Sequence, residues 1–355
     1  MKNRYPAIII KEFMTSEQSY GNLAFLENAY DVSYSLKLGG VSRLSFSLPA
    51  NDLKAQYIKP RAVLEFFDND LTAGLFFVMS AEIKTSDEGA FFVVKCEHMV
   101  RRLYENILLS YKNDGEWIIK NQSTTAVINR ILGAKIDSGK QKQTAWILDT
   151  CDFNITQYYD FEGMTMFSAL MAVTGGWRED YMWKFDTTVY PYRLSLLKPK
   201  KQVTTELRCG KNLVLLKEGF DTKNWLNCVY VSGKSKDEVL TPNWARAQNT
   251  ESADEYGLME KIFMMKSIPE KARLSAAAQT YFEKYRDIPY TYVAHALDRY
   301  SLTEEESDRF IIGEYTRIIL HDKNVTEGQI VEVSKADLTA KPGEVTLVIK
   351  TKKTL

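Results

Sequence analysis

Residues Asp68 to Gly74 read DNDLTAG, and residues Asp322 to Gly328, 254 positions later, read DKNVTEG. Laid over each other without a gap, residues 62–96 and 316–350 pair 35 positions and give seven identities. Average composition yields roughly two by chance. Asp68 meets Asp322, Thr72 meets Thr326, Gly74 meets Gly328, Ser80 meets Ser334 and Gly89 meets Gly343. Asp caps turns with its own side chain and Gly accepts positive φ at little cost. Asp68, Gly74, Gly89, Asp322, Gly328 and Gly343 are therefore expected where the chain reverses.

The apolar positions correspond too: Leu64 with Ile318, Phe66 with Leu320, Phe77 with Val331, Met79 with Val333, Phe91 with Val345 and Val93 with Leu347. Each copy is expected to run strand, turn, strand, turn, strand in one register, because a one-residue slip would expose its buried face. The generic alternative is that any two antiparallel meanders share turn chemistry. The sharper reading is two copies of one small barrel in each chain. Three chains in a ring would then present six similar units, and a threefold object could dock onto a sixfold one.

Around this repeat the chain has the balance of a folded protein, with 45% hydrophobic and 26% charged residues. At 355 residues it is too long for one ordinary core, so two or more domains are expected. Lys plus Arg equals Asp plus Glu at 46 each, so no net charge draws the chain to nucleic acid or a membrane. The apolar run Ala7 to Ile10 is too short for a signal-peptide core, and synthesis in a cytoplasm is expected. Cys96, Cys151, Cys209 and Cys228 are scattered without a C-x-x-C pair, the pattern of reduced thiols rather than a zinc or redox motif.

Leu44, Phe46 and Leu48 alternate with serines and place one face of a strand, which Pro49 ends. Further strands are expected at 62–67, 75–79 and 91–94. Val127, Ile128, Ile131 and Leu132 fall at helical spacing behind a possible N-cap, Ser123. A second helix fits Met164, Phe167, Leu170 and Met171 and stops at Gly175-Gly176. Strand texture returns at 182–185, 192–197, 212–220 and 225–231. The polar segment 232–256 reads as a long loop or interface arm. Leu274, Ala278, Tyr281 and Tyr285 form the stripe of a third helix, and strands at 290–294, 315–320, 329–333 and 345–349 close the chain.

The expected fold is α+β and multidomain, with two small antiparallel β-barrels and two α+β segments. The first barrel spans 1–104, an α+β domain 105–205, the second barrel 206–250 with 305–355, and an α+β insertion 251–304. The ring contacts of such a chain should bury aromatics of the polar arm, Trp244 and Tyr256 among them.

No catalytic or cofactor motif stands out. His98, His295 and His321 share no ligand spacing, and each reads as a packing or rim residue. No G-x-S-x-G elbow occurs. GAKIDSGK at 133–140 spaces its glycines one residue too far for a phosphate loop and is followed by Gln141. Thr303-Glu304-Glu305-Glu306 reads as a solvated acidic loop or capping box rather than a metal site. The sequons at Asn121, Asn154 and Asn324 have no secretory route to serve them. No catalytic residue, metal or cofactor is expected.

Longer stretches point further. VVKCEHMVRRLYENIL from Val93, YYDFEGMTMFSALMAVTGGW from Tyr158, GKNLVLLKEGFDTKNWLNCVYVSG from Gly210 and IIGEYTRIILHDKNVTEGQIVEVSKADL from Ile311 resemble the bacteriophage baseplate hub proteins, including the hub-like N-terminal region of tail-associated lysins. The resemblance covers nearly the whole chain through diffuse, structural motifs. It implies a homotrimeric hub with two barrels per chain, joining the hexameric tail tube to a central spike or fibre in the virion tail. The implied partners are a tube or distal tail protein, the tape-measure protein and a spike, with DNA passing through the ring. Many relatives continue into a peptidoglycan-degrading or fibre domain, whereas this sequence ends at Leu355. No lytic activity is carried over, because no catalytic residues match. The competing readings are a peptidoglycan-degrading tail enzyme and a carbohydrate-binding tail adhesin that uses its tyrosines.

Overall fold

Leu44, Phe46 and Leu48 are exposed by 1% or less, so the alternating LSFSL run does place one face of a strand in a core. A computed structural model describes residues 6–15, 18–69, 71–87, 89–110, 117–134, 144–175, 177, 179–233, 244–265, 271–320 and 325–353 of the chain. The first hundred residues supply seven strands: β1 (Ala7–Met14), β2 (Ser19–Phe25), β3 (Tyr30–Lys37), β4 (Arg43–Pro49), β5 (Val63–Asp68), β6 (Leu71–Ser86) and β7 (Gly89–His98). The Ile8-Ile9-Ile10 run is the buried centre of β1.

These strands belong to a 13-stranded sheet. Its path runs Leu213–Phe220, Ile288–Leu297, Glu344–Lys353, Val325–Lys335, β3, β4, β7, β6, β5, β1, β2. Tyr315–Ile319 lies off the path and pairs both Val325–Lys335 and, in parallel, Val203–Arg208. Pairing is mostly antiparallel, and no ring of strands closes among the described residues. The first and last meanders, expected in two separate barrels, are joined in one sheet where Val325–Lys335 pairs β3.

Both meanders keep the same strand order, β5-β6-β7 in one and Tyr315–Ile319, Val325–Lys335, Glu344–Lys353 in the other. Their first hairpins differ in register. Phe66 faces Gly74, but Gly328 faces Thr316 and not Leu320, as the gapless repeat requires. The cause is loop length: Asp68 pairs Leu71 across two residues, whereas Ile319 pairs Val325 across five. Gly74 sits in β6 at a bulge with φ of +89°. Gly89 starts β7 with φ of +122°. Gly328 is buried inside its strand, and Gly343 precedes Glu344–Lys353, its carbonyl accepting from the Asp298 amide at 2.8 Å. Asp322 and His321 lie outside the described residues.

The chain forms two compact units. The first comprises Met1–Val173, Tyr181–Leu216 and Val293–Ile349, and includes both meanders up to Ile349. It also holds helices Thr124–Leu132 and Met166–Val173. Ser123 caps the former by accepting from the Ala126 amide at 3.3 Å. Val127, Ile128, Ile131 and Leu132 form its buried face. The sheet Met182–Asp186, Tyr192–Leu197 and Trp146–Cys151 completes this α+β portion.

The second unit comprises Thr174–Asp180, Lys217–Tyr292 and Lys350–Leu355. Its central strand, Cys228–Gly233, is antiparallel to Trp244–Gln248 and parallel to Glu260–Met265. Helix Lys271–Tyr285 lays Leu274, Ala278 and Phe282 on this sheet against Val229, Val231, Ala245 and Ala247. Phe263 stacks on Tyr281 at 4.1 Å.

The polar segment 232–256, expected as a loop, contains strand Trp244–Gln248 and helix Thr250–Tyr256. Alternating Ala245 and Ala247 bury a small inner face too weakly apolar to stand out, and Asn249 caps the helix through the Ser252 amide. Among the described residues no helix is long and apolar enough to cross a membrane.

Gly74 has two constraints and Gly89 one. A Cβ on Gly74 would lie 2.6 Å from Thr187 Oγ1, whereas one on Gly89 would meet nothing within 4 Å. Gly74→Ala is expected to cost about 3 kcal/mol and Gly89→Ala about 1 kcal/mol in urea unfolding. Equal losses would mean that the Thr187 contact is yielding.

Candidate functional site

The most deeply buried cation among the described residues of the first unit is a lysine. Lys335, at the end of Val325–Lys335, is 4% exposed, and its ammonium donates to Asp68 Oδ2 at 2.7 Å and contacts Asp298 Oδ2 at 2.6 Å. The Tyr34 hydroxyl donates to the same Asp68 oxygen at 2.8 Å. Burial opposes the charge on Lys335, but Asp68 and Asp298 outweigh it and hold the ammonium above the ordinary lysine range. Burial and then the Asp68 charge push the Tyr34 phenol up. Asp68, expected as a turn residue, thus ends β5 as an internal anion that ties the first meander to the last.

A second polar contact anchors the α+β portion. His98 is buried and caps the short helix Met99–Tyr104, its Nδ1 accepting from the Val100 amide at 3.4 Å. That places the proton on Nε2, which donates to Thr187 Oγ1 at 3.3 Å. The same Thr187 oxygen accepts from the Leu75 amide at 2.7 Å. Burial holds the His98 pKa down at about 4. His98 borders a cavity of about 840 Å³ walled by Leu38, Met182, Trp183 and Phe310, with Lys184 and Lys198 also lining it. A neutral, doubly bonded imidazole is a structural strut there. His295 is likewise bonded, to Thr346 at 3.1 Å.

Assembly surfaces are more evident than reaction centres. Beyond Phe77, β6 pairs only β7 among the described residues, so Met79 to Ser86 offers a free strand edge on which Met79 is 43% and Ile83 63% exposed. Among the described residues β2 pairs only β1, and it carries exposed Leu23 and Phe25. In the second unit Trp244 is 40% exposed and packs edge-on to Tyr230, and Tyr256 is 47% exposed beside Trp225. Such edges and aromatics are templates for a partner chain. Trp244 and Tyr256 are among the aromatics expected at contacts from the sequence, whereas the edges of β6 and β2 carried no such signal.

Residues 200–354 match a family model described as prophage endopeptidase tail. A tail protein from Neisseria meningitidis MC58 superposes with a TM-score of 0.65 at 11% identity, covering 98% of this chain and 97% of that one. The 43 kDa tail protein of prophage MuSo2 from Shewanella oneidensis gives 0.62 at 11%, covering 98% of both. Prophage tail protein gp18 from Listeria monocytogenes EGD-e gives 0.60 at 10%, covering 99% of this chain and 95% of that one. The resemblance to phage tail proteins holds. It rests on sequence for residues 200–354 and on fold for nearly the whole chain. No curated protein matches.

Two measurements probe the internal struts of this tail-protein fold. Lys335→Met leaves two carboxylates without their cation and is expected to cost about 3–5 kcal/mol. Lys341→Met, which breaks an exposed pair with Glu344, should cost under about 1 kcal/mol. Comparable urea midpoints for the two variants would show that the buried cluster is not structural.

The pH dependence follows from His98, whose folded pKa of about 4 lies below its ordinary 6.5. Below pH 6.5 the unfolded chain takes up a proton that the folded chain refuses. Stability present above pH 6.5 is therefore lost as pH falls toward 4, by about 3 kcal/mol. His98→Asn keeps a capping side chain and should flatten that part of the pH profile; an unchanged slope would assign it to other groups.

Proposed function

We propose that the chain is a structural subunit of a phage or prophage tail baseplate, a hub that assembles as a homotrimeric ring and adapts the sixfold tail tube to a central spike or fibre. The observation that carries this reading is the antiparallel meander present twice in the chain and held in one sheet by the Lys335 cluster. Taken as the cores of two barrel-like modules per chain, the meanders would give six related modules in a ring of three. The tail-protein fold and the family match to residues 200–354 support the same reading.

In this role the work is assembly and load transfer. The partners are further copies of the chain, a tail tube or distal tail protein, the tape-measure protein and the spike or fibre, with DNA passing through without sequence-specific contact. The chain would be made in the host cytoplasm and reside in the virion tail. The endopeptidase in the family's description is not part of the proposal, since His98 and His295 are both engaged as struts.

A ring of this kind buries about 2,000 Å² or more at each obligate contact. The free edge of β6 and the exposed Trp244 and Tyr256 are the features assigned to such contacts. Light scattering on the purified chain should give three times the 40.8 kDa monomer mass. Ile83→Glu and Trp244→Ala should shift that species toward monomer while moving the thermal midpoint little. A monomer at every concentration, also in the presence of a tube protein, would sink the proposal.

A further inference from the structure

In the first unit, apart from the Lys335 cluster and the His98 cavity, a cleft of about 410 Å³ opens between β1, β2, the helix Met99–Tyr104 and the strands Trp146–Cys151 and Tyr192–Leu197. Its floor is aromatic: Trp146 and Tyr192 are buried with ring centroids 5.1 Å apart. Its rim is Phe13, 39% exposed and edge-on to Tyr20 at 5.1 Å. The Tyr192 hydroxyl donates to the Tyr20 hydroxyl at 3.1 Å, which leaves Tyr20 its own proton to give.

Two guanidinium groups reach this cleft over one ring. Arg61 lies 5.1 Å and Arg102 5.4 Å from the centroid of Phe77. Their charges are not balanced alike. Arg61 is paired with Glu105 at 2.7 Å. Arg102 has no carboxylate within 4.0 Å among the described residues, and its Nε is buried without a hydrogen-bond partner. Nε is closed to the cleft, so an anion there would be held by the Nη atoms of Arg102, a guanidinium without a carboxylate partner. Two arginines and one glutamate leave a net single positive charge at the cleft. That balance fits a monoanion, whereas a phosphate dianion would meet Glu105 with charge to spare.

From this geometry we infer that the cleft binds a carboxylate carried on a six-membered ring, the anion on the Arg102 fork and the ring against the aromatic floor. The guanidinium fork matches a carboxylate in two parallel hydrogen bonds, and the volume lies in the range of small-ligand pockets. The ring acid has two chemical sources, a flat aromatic acid or a sugar acid. The site is independent of the ring-assembly reading, because it requires no second chain.

Calorimetric titration of the full chain with benzoate, glucuronate and inorganic phosphate tests the inference. At least one of the two carboxylates is expected to bind at millimolar concentration or below, with phosphate weaker than either that binds. Benzoate alone would assign aromatic acids, glucuronate alone sugar acids, and both the shared carboxylate. Arg102→Gln, folded by circular dichroism, should weaken binding about tenfold or more. Glu105→Gln provides a second readout, since removing the competing anion should tighten carboxylate binding and bring phosphate to comparable affinity. No binding of either carboxylate at about 10 mM, phosphate binding as tightly as the carboxylates in the natural chain, or a folded Arg102→Gln variant with unchanged affinity would each overturn it.

Discussion

The buried ammonium of Lys335 is the constraint on which the large sheet depends. Its partners come from three distant places, Asp68 at the end of β5, Asp298 just past Ile288–Leu297, and, through the shared oxygen, Tyr34 on β3. Lys335 also stands directly opposite Tyr34 in the ladder that joins the last meander to β3. A one-residue slip in that ladder would turn Lys335 to the other face, bring Val333 out of the core and leave Asp68 buried without a cation. Hydrophobic burial alone would tolerate related registers, because Val331 and Val333 are similar in shape. A desolvated ion cluster does not. Its net contribution to stability need not be large for it to select a single register among neighbours of nearly equal apolar burial.

A second junction works through backbone rather than charge. The β6–β7 ladder ends where Phe76 faces His98, so the next amide on β6, that of Leu75, has no further β7 partner. Thr187 supplies the acceptor, and the bulge at Gly74 leaves room for it because Gly74 has no side chain. Asp186 then holds the turn by accepting from the Thr188 amide at 2.8 Å. The α+β portion is thus attached at the point where the sheet would otherwise leave a buried donor unsatisfied. His98 completes the contact as a neutral donor, which is why its depressed pKa is a property of architecture.

Periodic elements were legible in the sequence, and long-range partners were not. Leu44, Phe46 and Leu48 revealed a strand, and Val127, Ile128, Ile131 and Leu132 a helix, because each pattern is complete within one element. The Ile8-Ile9-Ile10 run was legible as apolar but not as a strand, since a short continuous run lacks a period. Ala245 and Ala247 do alternate, yet methyl groups beside Arg246 and Trp244 give too little contrast to read a buried face. Lys335 gave no signal at all: its anions lie far away in the chain, and a lone lysine at a strand end is ordinarily solvated. Thr187 and Arg102 were hidden for the same reason, because their roles exist only once separate segments meet.

The two meanders share a strand order but not the register that the gapless repeat requires. Gly328 faces Thr316, whereas the gapless repeat puts it opposite Leu320, a shift of four residues. Beyond the hairpin the likeness lapses, Met79 being 43% exposed and Val333 3%, but four is even, so the first strand keeps its buried face despite the longer loop. Leu64 and Ile318 accordingly are both buried. An odd shift would have turned one meander inside out and ended any likeness between the two surfaces. Under the ring reading, that parity is what matters: a sixfold partner needs six modules with matching faces, and it places no requirement on the hairpin tips. Those tips are where the two meanders differ, with two residues in one turn and five in the other.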